Sequence, residues 1–344
     1  MTRFTQSIVN LTRLTSLSTR VLADASGTTA LVQRPPSYTV PAFFNLAVAG
    51  YFGGGVGSSG TLSGIDKITF PADSKTTLSA TLSTARSYLA GMANSGVAGY
   101  IGGGEDSGGK VSGIDKITFP ADTKTTLSAT LTTAIDQNAA MANGSVAGYF
   151  GGGSNTSPTP VSGIDKITFP ADTKTTLSAT LSQALRGVAG MANSGVAGYI
   201  GGGTNPTNSR TNVIDKITFP GDTKTSLAAT LTAAVRNHAA MANSGVAGYF
   251  AGGDTGSLVS TIDKITFPAD TKTTLAATLT AGVQFPSGMA SSGVAGYIGG
   301  GYNGASYVNG IDKIAFPGDT KTTLSATLTS ARQGTAAMAN SGVL

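Results

Sequence analysis

The residues of this chain that could do chemistry are aspartates, lysines, glycines and a single histidine, and their spacing decides what each can do. Gly104-Glu105-Asp106-Ser107-Gly108-Gly109-Lys110 sets glycines and a lysine where a phosphate-cradling loop has them. Val111 then stands where Ser or Thr would hold magnesium, no helical pattern follows, and the run occurs once, so nucleotide binding is not expected. Asp-Lys pairs recur at Asp66-Lys67, Asp115-Lys116 and equivalents, and turn aspartates recur at Asp73, Asp122, Asp172, Asp222, Asp270 and Asp319. Neighbours on a strand face opposite ways, so an Asp-Lys pair cannot form one cluster. One aspartate per turn also falls short of the closely spaced oxygens of a calcium loop. Structural roles, in turns and in contacts between neighbouring copies of the pattern, are expected instead. With no cysteine and one histidine, disulfides, thiolate sites and His-rich metal clusters are excluded. No catalytic residue, metal or cofactor is expected. His238 falls in a variable connector, where a solvent-exposed or rim-contact role is expected rather than catalysis.

These residues belong to six near-copies of a segment of about 49 residues. Each copy opens with a run such as Gly50–Gly55, Gly99–Gly104 or Gly248–Gly253, the last with Ala251 in place of a glycine. An Ile-Asp-Lys-Ile run follows, starting at Ile65, Ile114, Ile164, Ile214, Ile262 and Ile311. A period near 50 with several short strands per copy predicts a β-propeller. The 48 glycines and the 11 % of charged residues agree, since such a chain needs many short strands and tight turns.

Local chemistry divides the second copy into four antiparallel strands. Ala90-Gly91-Met92-Ala93 and Val97-Ala98-Gly99-Tyr100-Ile101 flank an Asn-Ser-Gly turn. The third copy reads Asn143-Gly144-Ser145 there, which is expected to keep the hairpin. Ile114 to Phe119 alternates as a third strand, Pro120-Ala121-Asp122-Thr123 turns, and Lys124 to Leu131 reads as an outer strand rich in threonine. The chain enters the ring at a second strand near Asn45 and ends on a first strand near Ala336 to Leu344. The expected fold is therefore all-β: a six-bladed propeller over residues 46–344 with four antiparallel strands per blade, closed by the C-terminal strand.

The glycine doublets Gly53-Gly54 and Gly102-Gly103, with the third strand, turn and fourth strand after them, resemble kelch-type propellers. The resemblance departs from the family in lacking tryptophan. Leu78, Leu127, Leu177, Leu227, Leu275 and Leu324 stand near its place. Kelch propellers serve many functions, so the resemblance implies fold.

Two segments differ among the copies. One follows the glycines and the other joins strand four to the next blade, and alternating strand direction brings both to the same face. Variation on one rim of a fixed scaffold is the pattern of a recognition surface. The binding candidates there are Tyr88, Glu105, Asp106, Lys110, Asn155, Asn205, Arg210, His238, Asp254, Phe285, Tyr302 and Tyr307.

Residues 1–45 are different material and are expected to form an irregular docking arm. Phe4, Ile8, Leu11 and Leu14 are loosely helical in spacing, and Arg34-Pro35-Pro36-Ser37-Tyr38 is extended in character. Arg3, Arg13, Arg20 and Arg34 against Asp24 supply +3 of the net +5 charge. Asp and Lys nearly cancel within the repeats, so no nucleic-acid face is expected, and no apolar run approaches a membrane span.

The Gly-Tyr-Phe-Gly-Gly-Gly, Ile-Asp-Lys-Ile and Asp-Thr runs are similar to kelch-like proteins of cyanobacterial phages. That resemblance implies a virion protein of the tail or its fibres rather than the capsid, anchored by residues 1–45 to other virion proteins and homo-oligomeric in the particle. A host-surface glycan or protein is the expected partner of the variable face. The alternatives are a structural decoration protein of head or tail without receptor binding, and a cellular kelch-type interaction scaffold.

Overall fold

A computed structural model describes residues 48–340, and the docking-arm candidates Phe4, Ile8, Leu11, Leu14, Arg34 and Tyr38 lie outside that range. The described residues contain no helix, and their long strands form six sheets of four. In blade 2 the strands are Ala90–Asn94, Ala98–Gly102, Ile114–Thr118 and Lys124–Thr126, from the inner edge outward. Blades 3 to 6 begin with inner strands Ala139–Asn143, Ala189–Asn193, Ala239–Asn243 and Ser287–Ser291. Blade 1 takes Ala49–Gly53, Ile65–Thr69 and Ser74–Thr77 from the start of the ring and Ala336–Asn340 from its end. Ala49 lies opposite Asn340 and Gly53 opposite Ala336, so the C-terminal strand closes the ring as expected. Closure leaves no inner strand without its partner.

Burial explains the repeated composition. The second strand is buried at all five positions in every blade, which admits only Gly, Ala, Tyr, Phe and Ile. The outer strand is solvated apart from its half-buried lysine, and threonine suits that position. In blade 2 it ends at Thr126, short of the expected Leu131. The chain leaves the edge there because Leu131, 2 % exposed, is drawn into the core. The Asn143-Gly144-Ser145 permutation also has a consequence. Ser145 adopts the left-handed conformation (φ 59°) that Gly96, Gly195, Gly245 and Gly293 adopt elsewhere, a cost of about 1–2 kcal/mol for a residue with a Cβ.

Each blade is fastened to the next in the same way. Tyr51 donates its hydroxyl to Asp122 Oδ1 at 2.8 Å, and Lys67 Nζ lies 2.6 Å from Asp122 Oδ2. Phe119 stacks on Tyr51 with ring centroids 5.0 Å apart, and Lys67 sits over the same ring. The arrangement recurs around the ring to Tyr297 and Lys313, which both hold Asp73. The turn aspartates are left-handed, with φ of 51 to 56°. Nearer the axis, the methionine of one inner strand fills the space over a glycine in the next blade's second strand, as Met92 does over Gly148.

The blades alternate in kind. Blades 2, 4 and 6 carry Gly91, Gly190 and Gly288 with Ile101, Ile200 and Ile298. Blades 3, 5 and 1 carry Ala140, Ala240 and Ala337 with Phe150, Phe250 and Phe52. A Cβ on Gly91 would lie 2.6 Å from the Ala337 carbonyl oxygen, and Gly190 and Gly288 face Ala140 and Ala240 in the same way. The structural unit is thus a pair of blades.

Two outcomes test this packing. Gly148→Ala overlaps the Met92 thioether and is expected to destabilise by about 1–3 kcal/mol. Gly163→Ala in the same blade, which meets nothing within 4 Å, should leave the denaturation midpoint nearly unchanged. Deleting residues 333–344 removes the inner strand of blade 1 and should abolish cooperative unfolding. A folded monomeric truncation with the parent's melting curve would refute the role of the closure.

Candidate functional site

The two variable segments of each blade are parts of one hydrogen-bonded structure. Beyond the glycine run, the ladder between inner and second strands resumes in unchanged register: Ser87 opposite Glu105, Arg186 opposite Thr204, Arg236 opposite Asp254, and Gln284 opposite Tyr302. Ile135 and Asp136 pair likewise with Asn155 and Ser154. The last two glycines of the run permit this because both are left-handed, 70° and 96° at Gly103 and Gly104, whereas Gly102 still belongs to the strand. A Cβ on Gly104 would come 2.7 Å from the Ser87 carbonyl oxygen. Connector and hairpin therefore emerge on one face, where the sequence placed them.

Nine of the candidates shape the outer hairpins. Glu105 pairs with Lys110 across a two-stranded turn, and Asp106 Oδ1 accepts the Gly108 amide at 2.8 Å. Lys110 Nζ lies 2.9 Å from Asp136 Oδ1 and donates to Ser154. The segment resembling a phosphate loop is thus a hairpin whose lysine is engaged by the neighbouring blade. Asn155 accepts the amides of Ser157 and Thr159, and Asn205 those of Thr207 and Ser209. Arg210 reaches both oxygens of Asp254 at 3.1 and 2.9 Å, and Arg236 donates to Oδ2 at 3.0 Å. Burial raises the Asp254 carboxyl, but hydrogen bonds from Arg210, the Gly256 amide and Arg236 outweigh it and hold the group below its ordinary value. Tyr302 and Tyr307 meet edge to face at 5.6 Å.

Of the other three, His238 is buried, whereas Tyr88 and Phe285 meet at the mouth of the central channel. One residue from each connector lies there in the left-handed conformation: Tyr88, Gln137, Gly187, Asn237, Phe285 and Gly334, with φ from 52 to 66°. The amide of each donates to the carbonyl of the one before, from Gln137 to Tyr88 around to Tyr88 to Gly334, at 2.6–3.0 Å. Six main-chain hydrogen bonds thus form a closed ring. Tyr88 and Phe285 lean together across Gly334, ring centroids 4.7 Å apart, and Gln333 donates to the Tyr88 hydroxyl at 2.9 Å. A cavity of about 100 Å³ lies below, lined by Tyr88, Gln137, Asn138, Asn237 and Phe285 above a floor of alanine and glycine. Burial pushes the Tyr88 phenol up from its ordinary value. Sequence reasoning missed Gln137, Asn138 and Asn237 as lining residues. Their signal was membership in the variable connectors.

His238 is not solvent-exposed, as one of the two expected roles would require. It is 6 % exposed, packs against Gly202 of blade 4, and lies 5.5 Å from the Phe250 ring. The position belongs to the interior because Leu89, Val188 and Pro286 hold it in blades 2, 4 and 6, alternating with Asn138, His238 and Thr335. Neither nitrogen of the His238 ring has a hydrogen-bond partner in the protein. Burial lowers its pKa from 6.5 to about 4, against a smaller opposing pull from Asp263.

No protein-family model matches the chain, and neither does any curated protein. Among solved structures it is similar to that of YjhT, with a TM-score of 0.62 and 15 % identity over 79 % of this chain and 96 % of that one. At that identity the likeness is one of fold.

The buried histidine gives a pH prediction. Its folded pKa is below the unfolded value, so the unfolded chain binds the proton first as pH falls. Stability is complete above pH 6.5 and is lost from there down to about 4, by up to about 1.4 kcal/mol per pH unit. His238→Asn, the residue blade 3 uses, should flatten that slope in denaturation midpoints measured across the window. An identical slope in the variant would contradict it.

Proposed function

We propose that this protein is a non-enzymatic recognition module of a bacteriophage particle. In this reading a kelch-like propeller is held in the tail or its fibres by residues 1–45 and presents its loop face to a host-surface glycan or protein. The observation that carries the proposal is the confinement of difference between blades. The fastening residues between blades repeat around the ring, whereas the hairpins and connectors of one face differ in each copy.

The chemistry at the channel mouth suits contact with a polar, non-ionic partner. Half-buried aromatic rings of Tyr88 and Phe285 stand beside the amides of Gln137, Asn237 and Gln333, a pairing of flat apolar faces with directional donors and acceptors. The non-enzymatic reading is supported by the carboxylates of this face. Asp254 is shared by Arg210 and Arg236, and Asp136 faces Lys110, so each holds a loop in place. The phage context rests on the sequence resemblance.

The test compares the full chain with a variant carrying the hairpin and connector of blade 3 in all six blades. Both are applied to cyanobacterial cells and a glycan array. Saturable binding by the parent, reduced at least about tenfold in a variant with an equal melting temperature, is the expected result. A folded parent that binds no surface, or a variant that binds equally well, would overturn the proposal.

A further inference from the structure

We propose that blades 5 and 6 each contain a binding slot for a guanidinium group, built like the slots that Arg332 and Arg86 fill in blades 1 and 2. Arg332 is 3 % exposed and Arg86 1 %. Arg332 sets Nη2 2.6 Å from Asp66 Oδ2 and donates from Nη1 to the carbonyls of Gly54 and Gly64 at 3.1 and 3.3 Å. Arg86 sets Nη2 3.0 Å from Asp115 Oδ2 and donates to the carbonyls of Gly113 and Ile101 at 3.1 and 3.3 Å. The receptor is the same each time: one carboxylate oxygen, the carbonyl before the third strand, and carbonyls at the end of the second.

Both arginines stand four residues before an inner strand. The same position holds Val235 in blade 5 and Val283 in blade 6. The shorter side chain leaves a cavity of about 100 Å³ beside Val235, lined by Thr232, Phe250, Thr261 and Asp263. A cavity of about 90 Å³ beside Val283 is lined by Thr280, Ile298, Gly310 and Asp312. Phe250 and Ile298 correspond to Ile101, and Thr261 and Gly310 to Gly113, so the acceptors of the arginine slots recur in place.

The carboxylates are also held alike. Asp263 Oδ2 accepts the Thr232 amide at 2.7 Å, and Oδ1 accepts the hydroxyls of Thr232 and Thr274. Asp312 is held by Thr280 and Thr323 in the same manner. Asp66 is held so by Thr329 and Thr77, and there Oδ2 accepts the arginine in addition. The capacity of Oδ2 that serves Arg332 is therefore available at Asp263 and Asp312. Lysine contributes at Oδ1 in all of these blades, at 3.0–3.7 Å, and does not compete for Oδ2.

These acceptors select for shape as well as charge. A planar cation with several in-plane donors satisfies a carboxylate and two carbonyls together, whereas an ammonium is a compact point charge. The exposed Thr232 and Ala233 at one cavity edge, and Thr280 at the other, give an alkyl tail its way out. The ligand class is thus an alkylguanidinium, either a free small molecule or an arginine side chain borne by a partner.

The test titrates methylguanidinium chloride into the isotopically labelled full chain at constant ionic strength, with methylammonium and calcium chlorides as controls. Saturable amide shifts are expected at Thr232 and Thr280, which donate to the two Asp Oδ2 atoms. Ser83 and Thr329, their counterparts in the arginine-filled blades, should stay still. Val235→Arg with Val283→Arg should abolish the shifts and raise the melting temperature. Arg332→Ala should make Thr329 respond. A Gly-Gly-Arg-Gly-Gly peptide that also moves Thr232 and Thr280 points to a partner's arginine, and response to methylguanidinium alone points to a small molecule. No saturable shift at Thr232 and Thr280, an equal shift with methylammonium or calcium, or shifts that persist in a folded Val235→Arg, Val283→Arg protein would overturn the proposal.

Discussion

The aspartate at each left-handed turn position accepts a tyrosine hydroxyl and a lysine ammonium from the preceding blade, and the rest of the ring depends on that shared carboxylate. Its two oxygens are divided between the donors, so both neighbours are fixed in angle as well as distance. Hydrogen bonds to a charged acceptor contribute about 1.5–3 kcal/mol when shielded from water, and these side chains are 11–20 % exposed. Burial and the adjacent carboxylate push the tyrosines far above their ordinary pKa, so the donor keeps its proton across any physiological range. Phe-Pro sets the turn, the stacked Phe covers the tyrosine, and the second strand loses all solvent exposure. Because every interface uses the same contact, the fastening residues cannot vary, and difference is displaced to the opposite face.

The architecture was legible because repetition is itself a physical statement. Ile-Asp-Lys-Ile at a period near 50 requires a strand that buries the same residues each time, and the glycine doublets require left-handed turns at the same point. The closure by Ala336–Asn340 followed from where the repeat starts and stops. The blade-to-blade role expected of the turn aspartates agrees with the Tyr-Asp-Lys contacts. The limits of local reading appear at Leu131 and His238. Leu131 ends a run of strand-forming residues, yet interior packing takes it out of the edge strand. His238 lies among variable residues, yet the preceding blade covers it. Both depend on the neighbouring blade, which a single repeat does not display. The cavities beside Val235 and Val283 depend on how side chains from several strands meet, which the repeat pattern does not display.

At the channel mouth the division between fixed and variable takes a different form. The closed ring of six amide-to-carbonyl bonds constrains the main chain at Tyr88, Gln137, Gly187, Asn237, Phe285 and Gly334 without using a side chain. The side chains there can differ completely, from glycine to tyrosine, while the backbone stays the same. A non-glycine residue in that conformation costs about 1–2 kcal/mol. Four of the six positions bear it, and the ring of hydrogen bonds offsets it. Gly334 also gives the Tyr88 and Phe285 rings room to meet.

The alternation of glycine and alanine along the inner strands sets a rule of parity on the whole ring. An alanine beside an alanine would drive a methyl into the neighbouring carbonyl, as a Cβ on Gly91 would meet Ala337. Around a closed circle, two kinds of unit can alternate only if their number is even. Losing or gaining one blade would therefore set like against like at some interface, wherever in the chain the event took place. Losing or gaining two leaves the pattern whole. The unit by which such a ring can be lengthened, shortened or rebuilt is the doublet of about one hundred residues, and its neighbours in size are rings of four and eight.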